Sequence, residues 1–264
     1  MRERVALAAP GALLAAFLVL PLVALAGTAT LAELGAGLGH PLVAPALRLS
    51  ALTTTVSTCV VVILGIPLAW WLSRARGRWA AFAETVLQLP IVVPPAVAGV
   101  ALLLAFGRRG VLGPALEALG VTIPFSTAAV VLAEVFVAAP FFLQAAVSAF
   151  RRIDHRLILV ARSFGATPAT VLLRVALPLA APGLVAGAAM SWARALGEFG
   201  ATLMFAGNLE GATQTLPLAI YTALESDLRA AQAISLILVV VAFVLLVVVR
   251  VTLHRFERAL GPAA

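Results

Sequence analysis

Two ionisable side chains stand four positions apart in an otherwise apolar stretch, Ser191-Trp192-Ala193-Arg194-Ala195-Leu196-Gly197-Glu198-Phe199-Gly200-Ala201-Thr202. On a helix that spacing puts Arg194 and Glu198 on one face, where each offsets the other's charge. The chemistry available to such a pair is recognition of charge rather than nucleophilic attack. Other candidates for chemistry are few. The single cysteine, Cys59, lies in an apolar run, so it forms neither an intrachain disulfide nor a thiolate metal cluster. The three histidines, His40, His155 and His254, fall outside the long apolar runs, which leaves those runs without a nucleophile–base pair or a metal set. A Gly-x-x-x-x-Gly-Lys-Ser/Thr phosphate loop is impossible in a chain without lysine. No catalytic residue, metal ligand or cofactor is assigned.

The elements that must position Arg194 and Glu198 follow from composition. Of 264 residues, 63% are hydrophobic and 11% charged, with 18 arginines against 11 acids for a net charge of +7. An ordinary soluble domain carries roughly a quarter charged residues. These values exclude a soluble enzyme, a nucleic-acid-binding domain and a secreted disulfide scaffold, and imply an integral membrane protein. A spanning helix needs about 20 mostly apolar residues. Six stretches qualify: 5–26, 52–72, 86–106, 127–150, 182–206 and 233–249. None shows the period-two alternation of a β-barrel strand, so the expected fold is an all-α bundle of six spans.

Arginines sort the loops. Arg2, Arg4, Arg74, Arg76, Arg78, Arg151, Arg152, Arg156, Arg162, Arg174, Arg250, Arg255 and Arg258 fall on one side, and Arg48, Arg108, Arg109 and Arg229 on the other. That bias of 13 to 4 predicts cytoplasmic N- and C-termini. The first apolar region, followed by Ala24-Leu25-Ala26, is longer than the 7–15 residues usual in a cleaved signal. It is read as an uncleaved helix.

Each irregularity inside a span needs an account. Pro90, Pro94 and Pro95 break the third span near its cytoplasmic end, as a kink in a packed helix or as a bend beside a pathway. Glu134, alone in the outer half of the fourth span, is read as a packing residue. Arg194 lies 12 residues from Pro182, about 18 Å along a helix axis and near the bilayer centre. Gly183 and Gly187 let another helix approach closely, so this polar, glycine-rich span is the natural lining of a pathway. In the cytoplasmic loop 151–177, Ile153, Leu157, Ala161 and Phe164 mark one apolar helical face. Asp154 suits that helix's first turn, and Gly165 ends it in the left-handed conformation. Thr167 and Pro168 open a second helix as N-cap and first residue. This helix–turn–helix lies either on the lipid surface or against a cytoplasmic partner.

At this loop the chain resembles the inner-membrane permeases of bacterial importers driven by ATP-binding-cassette subunits. Their signature is Glu-Ala-Ala, three residues, Gly, nine residues, Ile-x-Leu-Pro. Here Leu159-Val160-Ala161 is followed by Arg162-Ser163-Phe164, then Gly165, then after nine residues Val175-Ala176-Leu177-Pro178. Leu159 stands where the family has glutamate, Val160 where it has alanine and Val175 where it has isoleucine. Segments 89–95, 194–208 and 213–221 are similar to molybdate permeases, and the Arg194–Glu198 stretch is shared with sulfate permeases.

The resemblance implies a six-span bundle of the type I importer permease fold in the inner membrane. It implies a single permease domain over 1–264, with 50–255 as core and 151–177 as the loop that engages the ATPase. The implied partners are a second copy of the chain, two cytoplasmic ATPase subunits that hydrolyse the ATP, and an extracytoplasmic binding protein delivering an oxyanion. Molybdate or tungstate is the expected cargo and sulfate the alternative. Leu159 to Gly165, Val175, Leu177 and Pro178 would couple to the ATPase. Pro94, Pro95, Arg194, Gly197, Glu198 and Gly200 would form the pathway or its gate. A proton-coupled secondary transporter is the rival class, but no internal repeat or chain of intramembrane acids supports it.

Overall fold

A computed structural model describes residues 2–27 and 30–260, with side chains omitted for 2–9, 31, 33, 34, 249 and 253–260. Arg2, Arg4, Arg255 and Arg258 of the arginine count therefore lie outside the described side chains, as does His254. The described residues are helical with no strand. In chain order the helices are α1 (Arg2–Gly27), α2 (Leu31–Leu38), α3 (Val43–Arg74), α4 (Arg78–Val92), α5 (Pro95–Phe106), α6 (Gly113–Ala118) and α7 (Thr127–Arg151). Then follow α8 (His155–Ser163), α9 (Pro168–Val171), a π-helical segment (Leu172–Ala176), α10 (Leu177–Leu196), α11 (Gly200–Ala206), α12 (Leu216–Ser226) and α13 (Leu228–Leu260). Among the described residues five columns are long and apolar enough to cross a membrane, and there are six if the bent pair α4 and α5 counts as one span. Helices satisfy their own backbone groups, which is why lipid admits them.

The α7 helix is the wall on which the rest is built. One buried cluster joins Val61, Ala69 and Leu72 of α3 to Phe142, Ala146 and Phe150 of α7 and to Ala180 and Leu184 of α10. A second joins Ala129, Val130, Ala133 and Val137 at the other end of α7 to Ala98 and Leu102 of α5 and to Phe205 of α11. A third packs Val43 and Ala46 of α3 against Leu216 and Ala219 of α12 and Ile234 of α13. Small residues set the α7–α10 distance, as their spacing predicts: a Cβ at Gly187 would sit 2.8 Å from that of Ala145, and one at Gly183 2.5 Å from that of Ala149.

Several sequence-derived boundaries are corrected. The third span is not a kinked rod: the chain bends by 115° between α4 and α5. Val93 and Pro94 are both extended there (ψ 127° and 137°), because a residue preceding proline is pushed out of the helical region. The fifth span stops at Leu196, and a separate helix begins at Gly200. Upstream, the helix opened by Thr167 and Pro168 is not a second surface helix. It runs on through the π segment into α10 as one column, Pro168–Leu196. Leu177 N reaches back five residues to Leu172 O, which admits the ring of Pro178 without breaking the column. The expected outer loop also turns inward: Thr213, Gln214 and Thr215 are buried, and residues 216–226 are helical.

These boundaries select positions for a topology test. Arg156 and Glu210 are exposed, whereas Thr213 is not. With Cys59 replaced by alanine, single cysteines at Arg156 and Glu210 are expected to label from opposite faces of sealed vesicles. Labelling from one face would overturn the orientation drawn from the arginines.

Candidate functional site

Two helix breaks meet to form the first part of the site. Pro94 ends the extended link after α4, and Pro95 starts α5. Gly200 starts α11 directly against it, and a Cβ at Gly200 would lie 2.7 Å from the Pro95 Cβ and 3.4 Å from the Ala96 nitrogen. Glycine is required there by close approach, so the two short helices can start side by side. Sequence reasoning assigned Pro94, Pro95 and Gly200 separately; the structure brings Pro95 and Gly200 into contact.

Arg194 and Glu198 do pair, although not along one continuous helix. Gly197 is the C-cap of α10, and its neighbour Glu198 lies in the link before α11. Arg194 Nη2 lies 2.8 Å from Glu198 Oε2, and Glu198 Oε1 accepts from the Ala201 nitrogen at 2.8 Å. One carboxylate thus offsets a guanidinium and satisfies an orphan donor in the first turn of α11. Glu198 is 1% exposed in its side chain and Arg194 28%. Breaking a buried ion pair from one side costs about 3–5 kcal/mol in water-soluble proteins, so neither group is a passive filler. Depth follows from register. Ser191 Oγ donates to Ala138 O at 3.1 Å, and Ala138 is near the middle of α7. Arg194 is one turn further outward, close to the middle of the bundle, as counting from Pro182 predicts.

Glu134 sits at a similar level on α7, 1% exposed, and accepts from Thr53 Oγ1 at 2.8 Å. Its Oε2 has no protein partner. This bond ties α3 to α7, which agrees with the reading of Glu134 as a packing residue. The partner was missed: nothing in the run Thr53-Thr54-Thr55 points to a carboxylate 81 positions away. Also missed was a polar knot behind the α11 end. There Asn208 Nδ2 and Gln214 Nε2 both donate to Thr222 Oγ1, at 2.9 and 3.1 Å.

The second part of the site is the α8 turn. Asp154 is the N-cap rather than a first-turn residue, accepting from the Arg156 nitrogen at 2.9 Å. At the other end Gly165 has φ +81°. Its N–H bonds Arg162 O at 2.9 Å, and the Ala166 N–H reaches back to Ala161 O at 3.1 Å. That pair of bonds is a Schellman motif, which needs the left-handed residue at Gly165. The apolar face expected from periodicity is split: Ile153 packs on the α3–α7–α10 core and Ala161 is half-buried, while Leu157 and Phe164 stay exposed. Only Ile158 of α8 is buried, while Leu157, Val160 and Phe164 are exposed, Phe164 at 86%. Leu159, Arg162 and Ser163 are exposed and Ala161 half-buried. Val175, Leu177 and Pro178 belong to the column after the turn, where Leu177 packs on the α3–α7–α10 core. Arg74 Cζ lies 3.3 Å above the Trp70 ring, whose edge meets Phe150, at the α3 end of the same core.

A bent apolar bundle carrying an intramembrane ion pair, with one short helix held proud of it, is the architecture of a membrane transport subunit. The chain belongs to the binding-protein-dependent transport system inner membrane component family, whose model matches residues 61–261. It is therefore the multi-pass inner-membrane permease component of an ATP-binding-cassette importer. Among its relatives, the molybdenum transport system permease protein ModB of Mycobacterium tuberculosis is 48% identical over 226 residues, covering 86% of each chain. ModB of Escherichia coli K12 is 37% identical over 182 residues, 69% of this chain and 80% of that one. The fold also matches solved structures. A bacterial transporter that imports the acidic polysaccharide alginate aligns with a TM-score of 0.76 at 16% identity, covering 96% of this chain and 95% of that one. The inward-facing MetNI methionine transporter aligns with a TM-score of 0.63 at 20% identity, covering 82% and 96%.

The buried Thr53–Glu134 bond yields a stability prediction. Interhelical side-chain hydrogen bonds in membranes average about 0.6 kcal/mol, but Thr53→Val takes the closest donor from a buried carboxyl and leaves it only Ser57. The loss is expected nearer the 1–3 kcal/mol of an unsatisfied buried group. The check is a lowered thermal unfolding midpoint in detergent. An unchanged midpoint would show that the bond does not hold α3 on α7.

Proposed function

We propose that this chain is the permease of a molybdate importer. In that reading it works as a homodimer with two cytoplasmic ATPase subunits and an extracytoplasmic protein that delivers the anion. The supporting observation is Arg194, a partly exposed guanidinium level with the middle of the bundle. Intramembrane cations are rare, pair with acids as this one does and mark pathways, and an oxyanion is the matching cargo. The choice of molybdate rests on the relatives named for molybdenum transport. Pro94, Pro95, Gly197, Glu198 and Gly200 would shape the pathway around Arg194.

Coupling would run through α8. Its outward residues Leu157, Val160 and Phe164 form an apolar face on the cytoplasmic side, and an ATPase subunit would cover it. Different docking in the two ATPase states would then shift the permease between inward- and outward-facing forms.

Sealed vesicles holding the permease, its ATPase and its binding protein are expected to take up molybdate when ATP is supplied. Sulfate uptake that molybdate does not inhibit would assign the other oxyanion. The coupling surface is tested at Gly165, where open space surrounds the Cα and only the positive φ resists a side chain. Gly165→Val is expected to abolish ATPase copurification and molybdate-stimulated hydrolysis, since a β-branched residue is an outlier at this φ. Gly165→Ala, at a cost of about 1–2 kcal/mol, is expected to lose them only in part. Normal assembly and coupling in the valine variant would take α8 out of the mechanism.

A further inference from the structure

We propose that Glu198 sets how tightly the pathway holds its anion, as a positioning and charge-offsetting residue for Arg194. This rests on the reading of Arg194 as a pathway residue. The two partners are unequally committed. Both oxygens of Glu198 are used, one by Arg194 Nη2 and one by the Ala201 nitrogen, each at 2.8 Å, and the side chain is almost fully enclosed. A guanidinium has five N–H donors, more than one carboxylate oxygen can occupy, and the closest approach of the pair is at Nη2. With 28% of the Arg194 side chain exposed, the cation keeps a surface a ligand can reach, and the anion keeps none.

The consequence is electrostatic. An oxyanion beside Arg194 meets hydrogen-bond donors whose charge is largely offset by a carboxylate that cannot swing away, because the backbone of α11 holds its second oxygen. Such a pair recognises an oxyanion by direction while adding little net attraction. A conducting site needs that balance, since a ligand bound too well does not leave. With the carboxylate charge gone, a dianion in a low-dielectric interior would face an uncompensated guanidinium and be retained.

The two duties of Glu198 can be separated. Glu198→Gln keeps an oxygen to accept from the Ala201 nitrogen but removes the charge. The experiment measures ATP-driven molybdate uptake into phosphatidylcholine vesicles by the complete importer, with wild type, Glu198→Gln, Arg194→Met and the double variant. Glu198→Gln is expected to lower both KM and kcat, each by about tenfold. Arg194→Met is expected to raise KM, since it removes the donors and leaves the Glu198 carboxylate facing the anion, and the double variant to raise it less, since that charge is gone as well. Wild-type kinetics in Glu198→Gln beside an impaired Arg194→Met would overturn the proposal and leave Glu198 as a helix cap only. A fall in kcat at unchanged KM that persists in the double variant would also overturn it. Wild-type kinetics in Arg194→Met would instead remove Arg194 from the pathway, a separate failure. Should Glu198→Gln not assemble, the double variant carries the test, since it leaves no unpaired charge. A KM no lower than that of Arg194→Met would then sink the idea.

Discussion

A helix that stops inside a membrane exposes backbone groups that no water can reach, and the arrangement of this protein depends on how those groups are met. Two helices stop there, α4 at Val92 and α10 at Leu196. Proline solves part of the problem at the first break, because Pro94 and Pro95 have no N–H to satisfy. The second break has no proline and takes a carboxylate instead, with Glu198 accepting from the Ala201 nitrogen. A buried carboxylate needs a cation, so Arg194 follows from Glu198 as much as the reverse. Cap, ion pair and close approach at Gly200 are one solution to one backbone constraint.

That solution requires a rigid wall, and α7 supplies it through residues of contrasting size. Toward the expected cytoplasmic side, Ala145 and Ala149 accept the glycines of α10 at backbone distance, while Phe142 and Phe150 fill the space toward α3. Toward the other side, alanines at 129 and 133 let α5 and α11 come in together. Without a hydrophobic force between helices in lipid, such packing and a few buried hydrogen bonds must hold the bundle. Thr53 to Glu134 and Ser191 to Ala138 fall where three helices meet rather than on the lipid-facing sides.

Much of this was legible in the sequence, for local reasons. Six apolar runs show themselves by length, Gly165 by its place after an amphipathic stretch, and the Arg194–Glu198 pair by an i,i+4 spacing that survives the helix break. What was not legible was set by tertiary contact. Gly197-Glu198-Phe199 reads as continuing helix because nothing local reveals that Glu198 turns its oxygen to a backbone donor. Thr213, Gln214 and Thr215 read as a solvated loop, yet Leu216 N donates to Ser50 Oγ at 2.7 Å and draws that segment into the α3–α12 contact. Periodicity joined Ile153, Leu157, Ala161 and Phe164 into one face, which the fold splits between the core and the surface. Ile158, outside that face, is the residue the bundle buries.

The two halves of the candidate site are ends of one object. The column that begins at Pro168, three residues after the Gly165 turn, ends at Leu196, one residue before the Gly197 break. Its 29 residues give a strut of roughly 40 Å. The wider π turn falls beside Pro178 and Pro182 follows one turn later, so the backbone ladder is loosened toward the α8 end, and the packed stretch from Gly183 to Ser191 leads on to Arg194. In the coupling proposed for α8, a displacement imposed there would meet the loosened segment first and the small-residue contact with α7 afterwards. The signature residues Val175, Leu177 and Pro178 belong to that loosened segment and not to the exposed face. If α8 docks an ATPase as proposed, Leu157, Val160 and Phe164 would supply the surface, and Val175, Leu177 and Pro178 would act through the column behind it.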